Sequence, residues 1–118
     1  MKNQKRRRDW PWGWKTMWVF TLFDLPTYSK ATRKKYAEFR KCLLKDGFTM
    51  MQYSVYVRHC NSLENANLHI KRMSSLVPAE GEVRFFVITD RQYEKILTFE
   101  GRKIVRDDTP RPSQLQLF

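Results

Sequence analysis

One carboxyl group is notable for where it falls. Residues 18–26 read WVFTLFDLP: an almost unbroken apolar run from Trp18 to Phe23, then Asp24, Leu25 and Pro26. A run of this kind marks a strand buried on both faces, usually the central strand of a sheet covered by helices. Pro26 has no N–H to give to a ladder and biases Leu25 towards extended geometry, so the strand ends here. An acid at the lip of a central strand is held by a rigid scaffold and open to solvent. That suits a ligand for a hard cation or a general base. A plain turn-forming Asp before a proline fits the same residues.

The second chemistry on offer is phosphate binding. The chain of 118 residues carries 23 Lys and Arg against 12 Asp and Glu, a formal net charge of +11. A small basic domain most often meets a polyanion, because neutralising phosphates releases counterions. Lys2, Lys5, Arg6, Arg7 and Arg8 form a basic arm, suited either to lying along a phosphate backbone or to remaining a solvated tail. Arg33, Lys34, Lys41, Arg58 and Arg84 are further candidates for phosphate contact, which needs cations at suitable spacing and reads no base sequence. Trp10, Trp12 and Trp14 surround a Pro and a Gly and are expected to pack on the protein itself.

Other site chemistries find little support. Cys42 and Cys60 make neither a CxxC nor a zinc cluster with His59 or His69, so both read as reduced thiols of a cytoplasmic protein. His69 is expected at the surface or half-buried rather than at a metal site. No apolar run approaches the ~20 residues a membrane span needs. The basic N-terminus lacks the apolar stretch of a signal peptide.

These groups need elements to position them. Hydrophobic residues make up 42% of the chain and aromatics 14%, enough for one modestly cored domain. The first strand is expected over residues 16–23. Ser29 caps a helix over residues 30–45, whose Tyr36, Phe39 and Leu43 recur at helical spacing while cations fill the other faces. Gly47 stops it. Residues 48–60 alternate as two short antiparallel strands, broken near residues 52–54. Asn61 or Ser62 caps a second helix near residues 63–76. Residues 82–90 form the next strand, in which one of Phe85 and Phe86 must face the core. A short helix or turn over residues 90–94 and a short strand over 95–99 follow. Residues 102–112 read as a linker. Leu115, Leu117 and Phe118 make a small strand signature with no local partner, a candidate for docking on another chain.

The order β-α-β-β-α-β is that of the ferredoxin-like split βαβ arrangement, an α+β fold with both helices on one sheet face. Residues 1–15 form an arm, 16–101 the domain, and 102–118 a linker with a docking strand. The bare sheet face requires a cover, which a sheet-to-sheet homodimer would supply.

Taken together, VFTLFDLP, the basic helix RKKYAEFRKCLLKDGF, the segment MMQYSVYVR and ITDRQYEKI resemble CRISPR-associated protein 2, the small subunit of the spacer-acquisition machinery. They look closest to members that accompany type II systems. The resemblance covers about residues 18–101. It implies a ferredoxin-like homodimer that binds double-stranded DNA between two dimers of the integrase, CRISPR-associated protein 1, in a heterohexamer. Some members are described as Mg2+-dependent endonucleases acting on single-stranded RNA or double-stranded DNA. Their metal-associated acid matches Asp24, whose two copies would share one Mg2+ across the dimer axis. Tyr53 and Ser54 match the family's Gln/Tyr-Ser-Val segment and would line the same region. An RNA-binding or toxin-like ferredoxin fold without an integrase partner is the remaining alternative.

Overall fold

The computed structural model describes residues 16–105. The order of elements is β1 (Met17–Asp24), α1 (Lys30–Lys45), β2 (Thr49–Gln52), β3 (Val55–Cys60), α2 (Leu63–Ser74), β4 (Glu82–Thr89), α3 (Asp90–Glu94), β5 (Thr98–Glu100) and β6 (Lys103–Val105). The first four strands form one antiparallel sheet in the order β2-β3-β1-β4. With α1 and α2 as crossovers, this is the α+β, ferredoxin-like arrangement expected from the sequence.

β1 is central and buried on both sides. Val19 and Phe23 face the two long helices, where they join Phe39 and Leu43 of α1, Phe48, Tyr56 of β3, and Ala66 and Met73 of α2. Burying each large side chain of this kind contributes about 1.5–3 kcal/mol. Trp18 and Phe20 point to the opposite face and meet Val57 and Tyr93. The Trp18 indole stacks on Tyr93 with centroids 3.8 Å apart, and its Nε1–H donates to Asp90 Oδ1 at 2.7 Å. This bond pins the one-turn helix α3 across the second face. Elsewhere that face stays open: Phe86 stacks on Phe20 at 4.9 Å and is still 42% exposed. Phe85, its neighbour, packs against the core beneath the helices.

The helix boundaries follow from local chemistry. The Ser29 hydroxyl accepts from the Thr32 N–H, and the Thr32 hydroxyl oxygen accepts from the Ser29 N–H, a reciprocal box at the start of α1. Ser62 accepts from the Asn65 N–H at the start of α2. At the end of α1, Gly47 takes φ +98°. Asp46 sits at this C-terminal cap, where the helix dipole disfavours an acid. Two cationic or polar groups from α2 offset it: His69 Nδ1 lies 2.7 Å from Asp46 Oδ2, and Arg72 donates to Oδ1 at 2.7 Å.

Several expectations need correction. β1 ends on Asp24 rather than before it. His69 is fully buried rather than at the surface or half-buried, because α2 turns it onto the end of α1. Residues 102–105 are not linker: the chain reverses at Gly101, and β6 pairs with β5 as a separate two-stranded sheet. Three residues, Lys103, Ile104 and Val105, are too few for periodicity to show against the charged residues around them. The arm (Arg6, Arg7, Arg8), the Trp-rich segment and the docking strand (Leu115, Leu117, Phe118) lie outside the described residues.

Candidate functional site

Along β1, residues of even number share the open face, and Asp24 is the last of them. It is exposed at the sheet's rim. The register with β4 places Glu82 directly opposite Asp24 and Arg84 opposite Leu22. Side chains so paired share a face, with Cβ atoms about 5 Å apart. A second carboxylate therefore stands beside Asp24 on the same rim. Arg84 donates to Glu82 Oε1 at 2.8 Å, which moderates the repulsion between the two acids. Both partners of that ion pair are largely exposed, so it adds little to stability.

What lets the two strands meet here is Gly81. Its φ is +93°, and a Cβ on it would lie 2.7 Å from the Asp24 carbonyl oxygen and 2.8 Å from Leu25 Cδ2. The loop after Asp24 is tethered to the same corner, since the Tyr28 hydroxyl bonds Glu80 Oε2 at 2.8 Å. That bond to Glu80 is the largest cause of a raised pKa for the Tyr28 phenol.

The β2–β3 turn adjoins the same end of β1, where the Phe23 N–H donates to the Ser54 carbonyl at 3.1 Å. Ser54 takes φ +64° and is the one non-glycine with positive φ among the described residues. Its hydroxyl is 3.2 Å from the Tyr36 hydroxyl. Tyr53 is 76% exposed and stacks on Tyr36. Its phenol pKa is raised, first by hydrogen bonding with Tyr36 and then by the repulsion between the two phenolates. It therefore stays neutral near pH 7.

The candidate phosphate ligands are dispersed. Lys34 and Lys41 are exposed on α1, where Lys30, Arg33, Lys34, Lys35, Arg40, Lys41 and Lys45 face Glu38 as the lone acid, seven cations against one. Arg33 is exposed, with one guanidinium N–H on the Thr27 carbonyl at 3.1 Å. Arg58 differs. Half-buried on the helix side of β3, it donates to the Asp46 carbonyl and the His59 carbonyl, both at 2.8 Å, and braces the end of α1. Cys60 beside it is buried, and burial pushes its thiol pKa up.

The donors at the rim are carboxylate oxygens, the type Mg2+ takes. Among the described residues no three His, Cys, Asp or Glu side chains gather closely enough to cage an ion. A Mg2+ at Asp24 would thus keep most of its waters, or draw ligands from a second copy or from phosphates.

A profile of the CRISPR associated protein Cas2 family matches residues 17–96. The chain belongs to the Cas2 family. A protein of Parvibaculum lavamentivorans named CRISPR-associated endoribonuclease Cas2 is 61% identical over 102 residues, 86% of this chain and 100% of that one. Proteins of the same name from Flavobacterium psychrophilum and Paracidovorax avenae are 44% and 40% identical, over 89% and 90% of this chain and 90% and 97% of theirs. The Cas2 profile thus spans the whole four-stranded sheet, both long helices, and α3.

Sequence reasoning did not find Glu82, Gly81 or Tyr36 as site residues. Glu82 and Gly81 are far from Asp24 in the chain, and only strand register joins them. Tyr36 reads as core by its spacing and is also the support of an exposed ring.

Proposed function

We propose that this Cas2 chain is a CRISPR adaptation protein: a homodimer that binds double-stranded DNA and joins two dimers of the CRISPR-associated protein 1 integrase, so that new spacers enter the CRISPR array. The cationic face of α1 carries this reading. Seven Lys and Arg residues against one Glu, on a rigid helix packed by Phe39 and Leu43, make a surface that holds a phosphate backbone without reading its sequence. The open sheet face with Phe86 and Phe20 is the surface on which a second copy would pack. Co-purification with the integrase and a DNA-binding series in rising salt test the proposal. The expected results are a stable assembly and a steep, linear fall of log affinity with log salt. Binding that ignores salt overturns it.

A second reading is favoured by the relatives' name, endoribonuclease, and by the exposed Asp24. In it Asp24, with Glu82 beside it and the same pair from the second copy, would hold Mg2+. When bound, that ion supplies charge neutralisation at the phosphate and a more acidic water. The chain's part is to fix the carboxylates at the rim. Scaffold and nuclease separate at Asp24: removing its carboxylate abolishes cleavage and spares DNA binding.

A further inference from the structure

Tyr53 is an exposed aromatic ring that the fold takes trouble to hold still. It stacks on Tyr36 with centroids 6.0 Å apart and planes 23° apart. Tyr36 in turn meets Phe23 edge-on at 5.6 Å, so the pair is anchored to β1. The turn that presents Tyr53 keeps Ser54 in the left-handed region, which disfavours a residue with a Cβ. The Tyr36 hydroxyl and the Phe23 N–H both bond Ser54 and hold it there. The exposed ring contributes little to the core. On α1, Arg33 and Arg40 lie one turn before and one turn after Tyr36, and both are exposed.

A neutral aromatic face stacked on a residue of a strongly positive helix matches one kind of ligand. A nucleobase has a π-face of similar size, and the phosphates of its strand suit the cations of that helix. Bases inside a duplex already stack on one another and offer no face. We propose that Tyr53, backed by Tyr36 of the cationic helix α1, is a stacking platform for an unpaired nucleobase of a single-stranded nucleic acid. The platform rests on the nucleic-acid reading above and adds to it a preference that cations alone do not give. Single-stranded RNA and single-stranded DNA share the chemistry.

The test uses the full chain and three labelled probes at one salt concentration: an oligo-U RNA, an oligo-dT DNA and a blunt DNA duplex. Tyr53→Ala is expected to weaken binding to a single strand roughly tenfold and to leave the duplex within about twofold. Tyr53→Leu keeps apolar bulk without a π-face and is expected to behave like alanine. Tyr53→Trp is expected to bind single strands at least as well as the native chain. The probe that loses more identifies the source, RNA or DNA. Single-strand binding unchanged by Tyr53→Ala overturns the platform, as does an equal loss on the duplex. A change in self-association on sedimentation also overturns it, placing Tyr53 in a protein contact. A native chain that binds the duplex but neither single strand overturns the platform alone. One that binds none of the three overturns the nucleic-acid reading as well.

Discussion

Asp24 holds its place through a residue that has no side chain. Gly81 lets β4 start against the Asp24 carbonyl, and the carboxyl group projects from a strand end fixed on both sides. Two predictions belong here. Asp24→Asn keeps the shape and removes the charge. It is expected to lose any metal-dependent cleavage of RNA or DNA, while melting temperature and duplex affinity stay close to native. Cleavage surviving in the variant would remove Asp24 from the chemistry. Gly81→Ala adds a Cβ in a left-handed conformation and into the Asp24 carbonyl. The expected cost is about 1–3 kcal/mol, read as a fall of several degrees in thermal denaturation. A melting curve equal to the native one would show that the corner yields without strain.

Among the elements, the end of α1 is the junction to test. Asp46 caps it against the helix dipole and is held by His69 and Arg72 from α2, while Arg58 braces its carbonyl. Asp46→Ala leaves the buried His69 ring without this partner and is expected to destabilise the fold by about 1–3 kcal/mol in chemical denaturation. Asp46→Asn, which keeps an acceptor, should cost less. Equal stability of all three would make the cluster incidental. The elements themselves were legible in the chain. Ser29, Gly47 and the three-and-four spacing of Tyr36, Phe39 and Leu43 define α1, and the break near Ser54 separates β2 from β3. What joins elements was not legible. His69 reads as no more than half-buried because its partner is distant in sequence. Glu82 reads as unrelated to Asp24 because register arises only when β1 and β4 pair. Arg58 reads as a phosphate ligand because the alternation of β3 does not say which face the helices cover. β6 was missed because three residues carry too little pattern.

Taken whole, the molecule has a covered side and an open one. α1 and α2 close the first, and on the second α3 shields Trp18 while Phe86 remains exposed. A charge placed there leaves the helix-side core intact. If the proposed homodimer forms through this face, Phe86→Asp is expected to yield a folded chain that sediments as a monomer, with weaker duplex binding than the native chain. A native monomer at micromolar concentration, or a Phe86→Asp dimer, would rule out this face as the contact.

The central position of β1 has a kinetic side. Its amides are laddered to β3 and β4 and lie between two apolar layers, so only opening of the entire sheet exposes them to solvent deuterium. The three-residue β5–β6 ribbon has no such shelter and should exchange within its own small opening. The acid at the rim is thus tied to the most slowly exchanging part of the polypeptide. Loosening of the ribbon during assembly would leave its position unchanged.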